Sequence, residues 1–223
     1  DMFNDHGFRD RVSLSGVNSI NWARIMAQIV YYFSSALSLG SPDRPVSFTV
    51  PTGNFGDIFA GFAAKRMGLP VERLIIATND NDILARTLSS GEYRTKGVFA
   101  TTSPSMDIQV SSNFERLLFE AAGRDAATVR RYMNGLKQSG AFTIEADEIA
   151  RIRSEFDAVD QPVIDQTIAD LATRGPGFGV HVVLSVTRWF DLRMNQRDLF
   201  AHRIELRIGA PSEPGHHQRE ASA

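Results

Sequence analysis

A chain of 223 residues and 24.7 kDa has room for one large domain or two small ones. A hydrophobic share of 43% and a charged share of 22% exclude disordered, collagen-like and fibrous classes. Lys and Arg (24) nearly balance Asp and Glu (26), which argues against nucleic-acid binding, and the absence of cysteine excludes disulfides, Cys-ligated zinc, iron–sulfur clusters and thiol nucleophiles.

The opening Asp1-Met2-Phe3-Asn4-Asp5-His6 is neither a signal peptide nor a basic transit sequence. No apolar run approaches a membrane span, so no membrane partner and a cytoplasmic location are expected. A start at Asp rather than Met is what a fragment would show.

The first long helix is predicted from about Ser19 to Leu39. Its apolar residues, Ile20 to Leu37, recur nearly all round, which predicts burial on most faces. Gly40-Ser41-Pro42 ends it. Val46 to Val50 is a β-branched strand, Pro51 to Asn54 a turn, Phe55 to Met67 a helix, and Leu74 to Thr78 a second apolar strand. Continuous apolar strands alternating with helices predict an α/β fold, a parallel sheet flanked by helices. A short helix is expected over 83–90 and a turn-rich stretch over 91–109. Further helices are expected from Ser112 to Glu120, Asp125 to Gln138, Glu145 to Phe156 and Val163 to Ala172. Arg174 to Gly179 breaks the chain. Val180 to Val186 and Arg203 to Ile208 read as strands, and Ser212 to Ala223 as a frayed end.

The sharpest chemical feature is Pro51-Thr52-Gly53-Asn54-Phe55-Gly56-Asp57, between a buried strand and a helix. Its glycines permit a tight turn and a close approach to a ligand, and the helix start offers unpaired amides. That is an anion cup suited to a phosphate ester. It lacks the Lys-Ser/Thr of a Walker A and the third glycine of a dinucleotide fingerprint. A plain strand–turn–helix junction that needs glycine explains the same residues. Asn18 or Ser19 is expected to cap the first helix. Arg24, early in that helix, opposes the dipole, so it serves either an anion or the open surface. Thr101 to Asp107 reads as a structured, hydroxyl-rich turn.

Several long words then identify a resemblance. Phe3 to His6, Val17 to Ile25, Val50 to Ile58, Leu74 to Asn79, Ser103 to Ile108 and Ser111 to Arg116 stand in an order that resembles threonine synthase over residues 1–157. That family converts O-phosphohomoserine to threonine and phosphate with pyridoxal 5'-phosphate. The resemblance implies a partial fold-type-II domain and a phosphorylated small-molecule substrate. It implies that Gly53, Asn54, Phe55, Gly56 and Asp57 cradle the cofactor phosphate, and that Asn18, Ser19 and Arg24 hold the substrate's carboxylate or phosphate. The family's Schiff-base lysine stands in a Phe-Lys-Asp context. Lys65, Lys96 and Lys137, the lysines of this chain, have no such context, so the cofactor would be held non-covalently and activity of this chain alone is not expected.

Residues 161–223 resemble instead the FtsK-type ATPase domains of type VII secretion motors, through Ile168 to Leu171, Gly179 to Trp189, Asp198 to Phe200 and Arg203 to Gly209. No Walker A accompanies them. The expected organisation is thus a threonine-synthase-like fragment over 1–157 and a small ATPase-like α/β appendage over 158–223. The alternatives are a non-catalytic fusion remnant or a piece of a secretion ATPase. Truncated sheet edges would favour self-association.

Overall fold

The structure, a computed structural model, describes residues 4–14, 18–179, 182, 184, 192 and 194–200. In chain order the first part comprises α1 (His6–Arg11), α2 (Trp22–Ser38), β1 (Val46–Pro51), α3 (Gly56–Arg66), β2 (Val71–Ala77), α4 (Ile83–Ser90) and β3 (Glu92–Arg94). There follow α5 (Phe114–Ala121), α6 (Ala126–Ser139), β4 (Ala141–Thr143), α7 (Ala146–Glu155), β5 (Phe156–Val159) and α8 (Gln161–Arg174). The chain divides into two compact units, residues 1–167 and 168–223.

The core of the first unit is a parallel sheet in the order β1-β2-β5. Central β2 is apolar from Leu74 to Ala77, where both faces are covered, and Leu74 and Ile76 are fully buried. Register runs Val50 opposite Ile76, and Leu74 opposite Phe156. The Arg73 guanidinium grips Asp157 across the β2–β5 pair (Nε to Oδ2 2.7 Å) and holds that carboxyl below its usual range. All three strands point one way, so the loops after β1 and β2 emerge at the same rim of the sheet. In open parallel sheets that rim is where ligands bind.

Helix α3 lies against the sheet and buries Ile58, Phe59, Ala60, Phe62 and Ala64. Helix α2 packs on α3 where Gly61 leaves room. A Cβ there would meet Tyr32 Cε1 at 2.5 Å, and the Tyr32 hydroxyl donates to the Asp57 carbonyl at 3.0 Å. The all-round burial expected of α2 is not found. It buries Ile25, Tyr32 and Ala36, while Trp22, Met26, Val30, Tyr31 and Leu37 are exposed. Its apolar residues outnumber what one face against α3 covers. A smaller antiparallel pair, β3 with β4, stacks Tyr93 on Phe142 with ring centres 4.9 Å apart.

Helix α8 begins in the first unit and ends in the second, where it runs on into a 3-10 turn (Gly175–Phe178) at the predicted break, and α9 (Met194–Arg197) follows. The strands expected over 180–186 and 203–208 lie outside the described residues, save Val182 and Leu184, which are in no strand. So do Thr187-Arg188-Trp189 and the end of the chain. Among the described residues no helix is long and apolar enough to cross a membrane.

Candidate functional site

Strand β1 hands the chain to the rim through Thr52. Its N–H donates to the Ala77 carbonyl (2.9 Å) and its hydroxyl to the Val50 carbonyl (2.6 Å). Gly53 follows, and the reason for glycine here is a neighbouring loop. A Cβ would lie 2.8 Å from the Ser105 carbonyl oxygen and 3.2 Å from Met106 Cα. The sequence leaves two reasons open for glycine here, close approach of a ligand and a junction that needs glycine; on this side of Gly53 it is the neighbouring backbone that leaves no room for a Cβ.

The other side of the loop is different. The Gly53 carbonyl accepts from the Ser111 hydroxyl (2.8 Å). The Asn54 carbonyl accepts from both the backbone N–H and the side-chain Nδ2 of Asn113 (3.0 Å each). In a trans peptide the carbonyl and the following N–H point in opposite directions. Pinning these carbonyls on residues 111–113 therefore turns the N–H groups of Asn54 and Phe55 away from them. Phe55 then adopts a left-handed backbone (φ 64°, ψ 0°) directly before the right-handed turns of α3. Such a reversal gathers successive N–H groups into a concavity. The strained backbone is held by packing: Phe55 is buried, with its ring 5.3 Å from Phe114 and 5.7 Å from Phe156. Among the described residues, the backbone amides of Gly53 to Asp57 meet no acceptor. They sit at the positive end of the α3 dipole.

Asp57 stands in the first turn of α3 with one edge in solvent. Crowding by surrounding protein lifts its carboxyl above the ordinary range, countered by the neighbouring Tyr32 hydroxyl and the charge of Arg24. Burial, then Asp57, pushes the Tyr32 hydroxyl up in turn.

The second expected segment comes to the same place. Helix α2 is capped by Asn21, whose side chain accepts from the Ala23 N–H (2.9 Å), and not by Asn18 or Ser19. Asn18 instead closes a turn, accepting from the Ile20 N–H (3.2 Å). That places Asn18 and Ser19 in the approach to the helix. The Ser19 carbonyl accepts from Asn113 Nδ2 (2.7 Å) and lies 3.5 Å from where a Cβ on Gly56 would be. The Ile20 carbonyl accepts from Arg116 Nη2 (2.8 Å), and Arg116 Nε donates to Asn113 Oδ1 (3.0 Å). The Arg116 guanidinium also covers the Trp22 ring, 5.6 Å from its centre. Arg24 is exposed, one turn on. Residues 18–24 and 53–57 are thus brought together as one candidate site. Ser111, Asn113 and Arg116 organise it, and the sequence reading gave them no role because nothing local to residues 111–116 tells which loops they will meet.

The turn over 101–107 is built round one carboxylate, as the structured-turn reading has it. Asp107 accepts from the Thr101 hydroxyl (2.6 Å) and N–H (2.8 Å), from Asn79 Nδ2 (2.8 Å) and from Asn81 Nδ2 (3.0 Å). These bonds, that of the Thr101 hydroxyl first, hold its carboxyl below the usual range.

Lys65 Nζ lies 2.6 Å from a Glu155 carboxylate oxygen, near the far end of α3, and Lys96 and Lys137 are exposed. A cavity of about 200 Å³ opens beside Phe62, Arg66 and Arg151, and one of about 220 Å³ is lined by Ile20, Tyr93, Ser111 and Met133; residues 53–57 line neither. Among the described residues no cluster of His, Asp and Glu is arranged to hold a metal.

No protein-family model matches the chain. Individual proteins do. Threonine synthase of Pseudomonas aeruginosa is 53% identical over 171 residues, 76% of this chain and 36% of the relative. The crystal structure of pyridoxal-phosphate-bound threonine synthase from Brucella melitensis is 69% identical with a TM-score of 0.70, covering 78% of this chain and 38% of that one. Threonine synthase from yeast gives 43% identity and a TM-score of 0.65, covering 77% of this chain and 36% of that one. The chain is therefore homologous to threonine synthases over about 70% of its length and spans little more than a third of theirs. Its α/β architecture is that of the matching part of these fold-type-II enzymes. The ATPase resemblance of residues 161–223 finds no support in these relatives.

Proposed function

We propose that residues 53–57 hold the phosphate of pyridoxal 5'-phosphate, and that the chain serves the threonine synthase reaction, the conversion of O-phosphohomoserine to threonine and phosphate. The observation that carries this reading is the row of amides from Gly53 to Asp57 that meet no acceptor among the described residues, at a helix start whose carbonyls are turned inward by Ser111 and Asn113. A phosphate satisfies several such donors at once and gains from the helix dipole. The cofactor's identity is supported by the Brucella melitensis threonine synthase, which was crystallised with pyridoxal phosphate bound.

When bound, pyridoxal phosphate supplies an electron sink for carbanionic chemistry. The residues of this chain bind and orient. The 53–57 amides fix the cofactor's phosphate end. Arg24, exposed beside the same rim, offers a guanidinium to the substrate's carboxylate or phosphate, with Asn18 and Ser19 next to it. None of Lys65, Lys96 and Lys137 is proposed as the amine that carries the cofactor.

The test compares pyridoxal phosphate with pyridoxal, which lacks the phosphate, by quenching of tryptophan fluorescence in the chain as it stands. The phosphate form is expected to bind at least about tenfold more tightly, with inorganic phosphate competing. Equal affinity for the two would sink the reading.

A further inference from the structure

The buried side chain of Asn113 is placed between the two halves of the site. Its Nδ2 donates both to the Asn54 carbonyl in the phosphate loop (3.0 Å) and to the Ser19 carbonyl at the approach to α2 (2.7 Å). Its Oδ1 accepts from Arg116 Nε (3.0 Å), which fixes the amide's orientation so that Nδ2 faces the two carbonyls. Arg116 repeats the link one residue on, through the Ile20 carbonyl (2.8 Å). Asn113 is fully buried, so water offers no substitute for these bonds. Both carbonyls share one NH₂ group, and a displacement of either loop is felt by the other.

We infer that Asn113 is a positioning residue that couples the phosphate loop to the 18–21 segment, so that an anion gripped by residues 53–57 also sets Ser19 and, through the start of α2, Arg24. The inference rests on the proposed phosphate role of that loop. It adds that the two binding segments are not independent: occupancy of one orders the other. Only a side chain with two amide hydrogens serves both carbonyls while its oxygen stays with Arg116. Asp or Ala at this position breaks the connection by different routes, the first by removing the donors and the second by removing the whole group.

The test is amide hydrogen exchange on the chain with and without saturating inorganic phosphate. In the wild type, phosphate is expected to slow exchange at Asn54 to Asp57 and also at Ile20 and Asn21, whose N–H groups bond within the 18–21 turn. In N113A, exchange at Ile20 and Asn21 should rise about tenfold without ligand, and phosphate should no longer slow it. In R116A, which keeps the Asn54 contact, phosphate should still protect residues 54–57 while its effect at Ile20 and Asn21 falls. A purely structural role for Asn113 predicts faster exchange in N113A with the phosphate effect at Ile20 and Asn21 intact, and that result overturns the inference. So does a wild type in which phosphate protects 54–57 alone. If phosphate protects neither segment, the cofactor reading fails, and G53A then serves as the disturbance. Faster exchange at Ile20 and Asn21 in G53A, abolished when N113A is added, upholds the coupling; no spread from residue 53 refutes it.

Discussion

Two loops at one rim of the sheet treat their polar groups in opposite ways. The loop after β2, residues 78–82, together with the turn over 101–107, points its donors inward on a single carboxylate: Asn79, Asn81 and Thr101 all bond Asp107. The loop after β1 turns its carbonyls inward on Ser111 and Asn113 and leaves the amides of Gly53 to Asp57 without an acceptor among the described residues. Both are rich in small polar residues and look alike as strings of letters. One completes its own hydrogen bonding and serves as scaffold. The other does not, and the proposed phosphate role rests on that contrast. The two meet at Gly53, which rests against Ser105 and Met106, so the scaffold loop sets where the open loop lies.

Removing the support of the open loop should have the largest effect. F55A takes away a buried ring that contacts Phe114 and Phe156, and an unfolding free energy lower by about 3–5 kcal/mol is expected from urea titration. Next comes the contact between the loops. G53A drives a methyl into the Ser105 carbonyl and should lower stability by about 1–3 kcal/mol, with pyridoxal phosphate affinity falling alongside. A change within experimental error in both would mean that the two loops do not depend on each other.

The smallest effects separate the loops by pH. The Asp107 carboxyl lies below its ordinary range in the folded chain, so its stabilising influence is complete above that range and is lost as pH falls through the lowered value. Asp57 is shifted upward, so its ionised form weighs against the fold. That penalty is absent below the ordinary carboxylate range and reaches its full size only above the raised value. D107N should accordingly lower the urea midpoint at pH 7 and D57N raise it slightly, with both differences fading on acidification. Shifts of the same sign at pH 7 would contradict the contrast.

Much of this arrangement was legible in the letters, and what was not has physical causes. Strands β1 and β2 announce themselves by β-branched runs, and α3 by its glycine-bounded start. Strand β5 does not. Phe156 to Val159 are too few to show a period, and Phe156 reads as the end of a helix, because their strand character comes from pairing with β2 across a long stretch of chain. Strands β3 and β4 are shorter still. The apolar residues of α2 predicted burial all round, yet a pattern records the capacity to be covered and not the cover itself. The cap of that helix fell on Asn21 in a stretch where Asn18, Ser19 and Asn21 are all capable of it, and only the turn closed by Asn18 decides among them. At the site, the glycines and the helix start were readable, whereas the inward pinning of the carbonyls depends on residues distant in sequence.

The order β1-β2-β5 also carries a consequence for how the chain comes into being. Phe55 leans on Phe156, and Thr78 donates to the Val159 carbonyl, so the rim is finished only by the last of the three strands to be synthesised. Contacts of such long sequence separation form late and slowly. During translation, β1 and β2 will have left the ribosome well before the strand that closes them. Until then an apolar strand edge stands open, and the nascent chain has reason to need a chaperone before it needs a ligand.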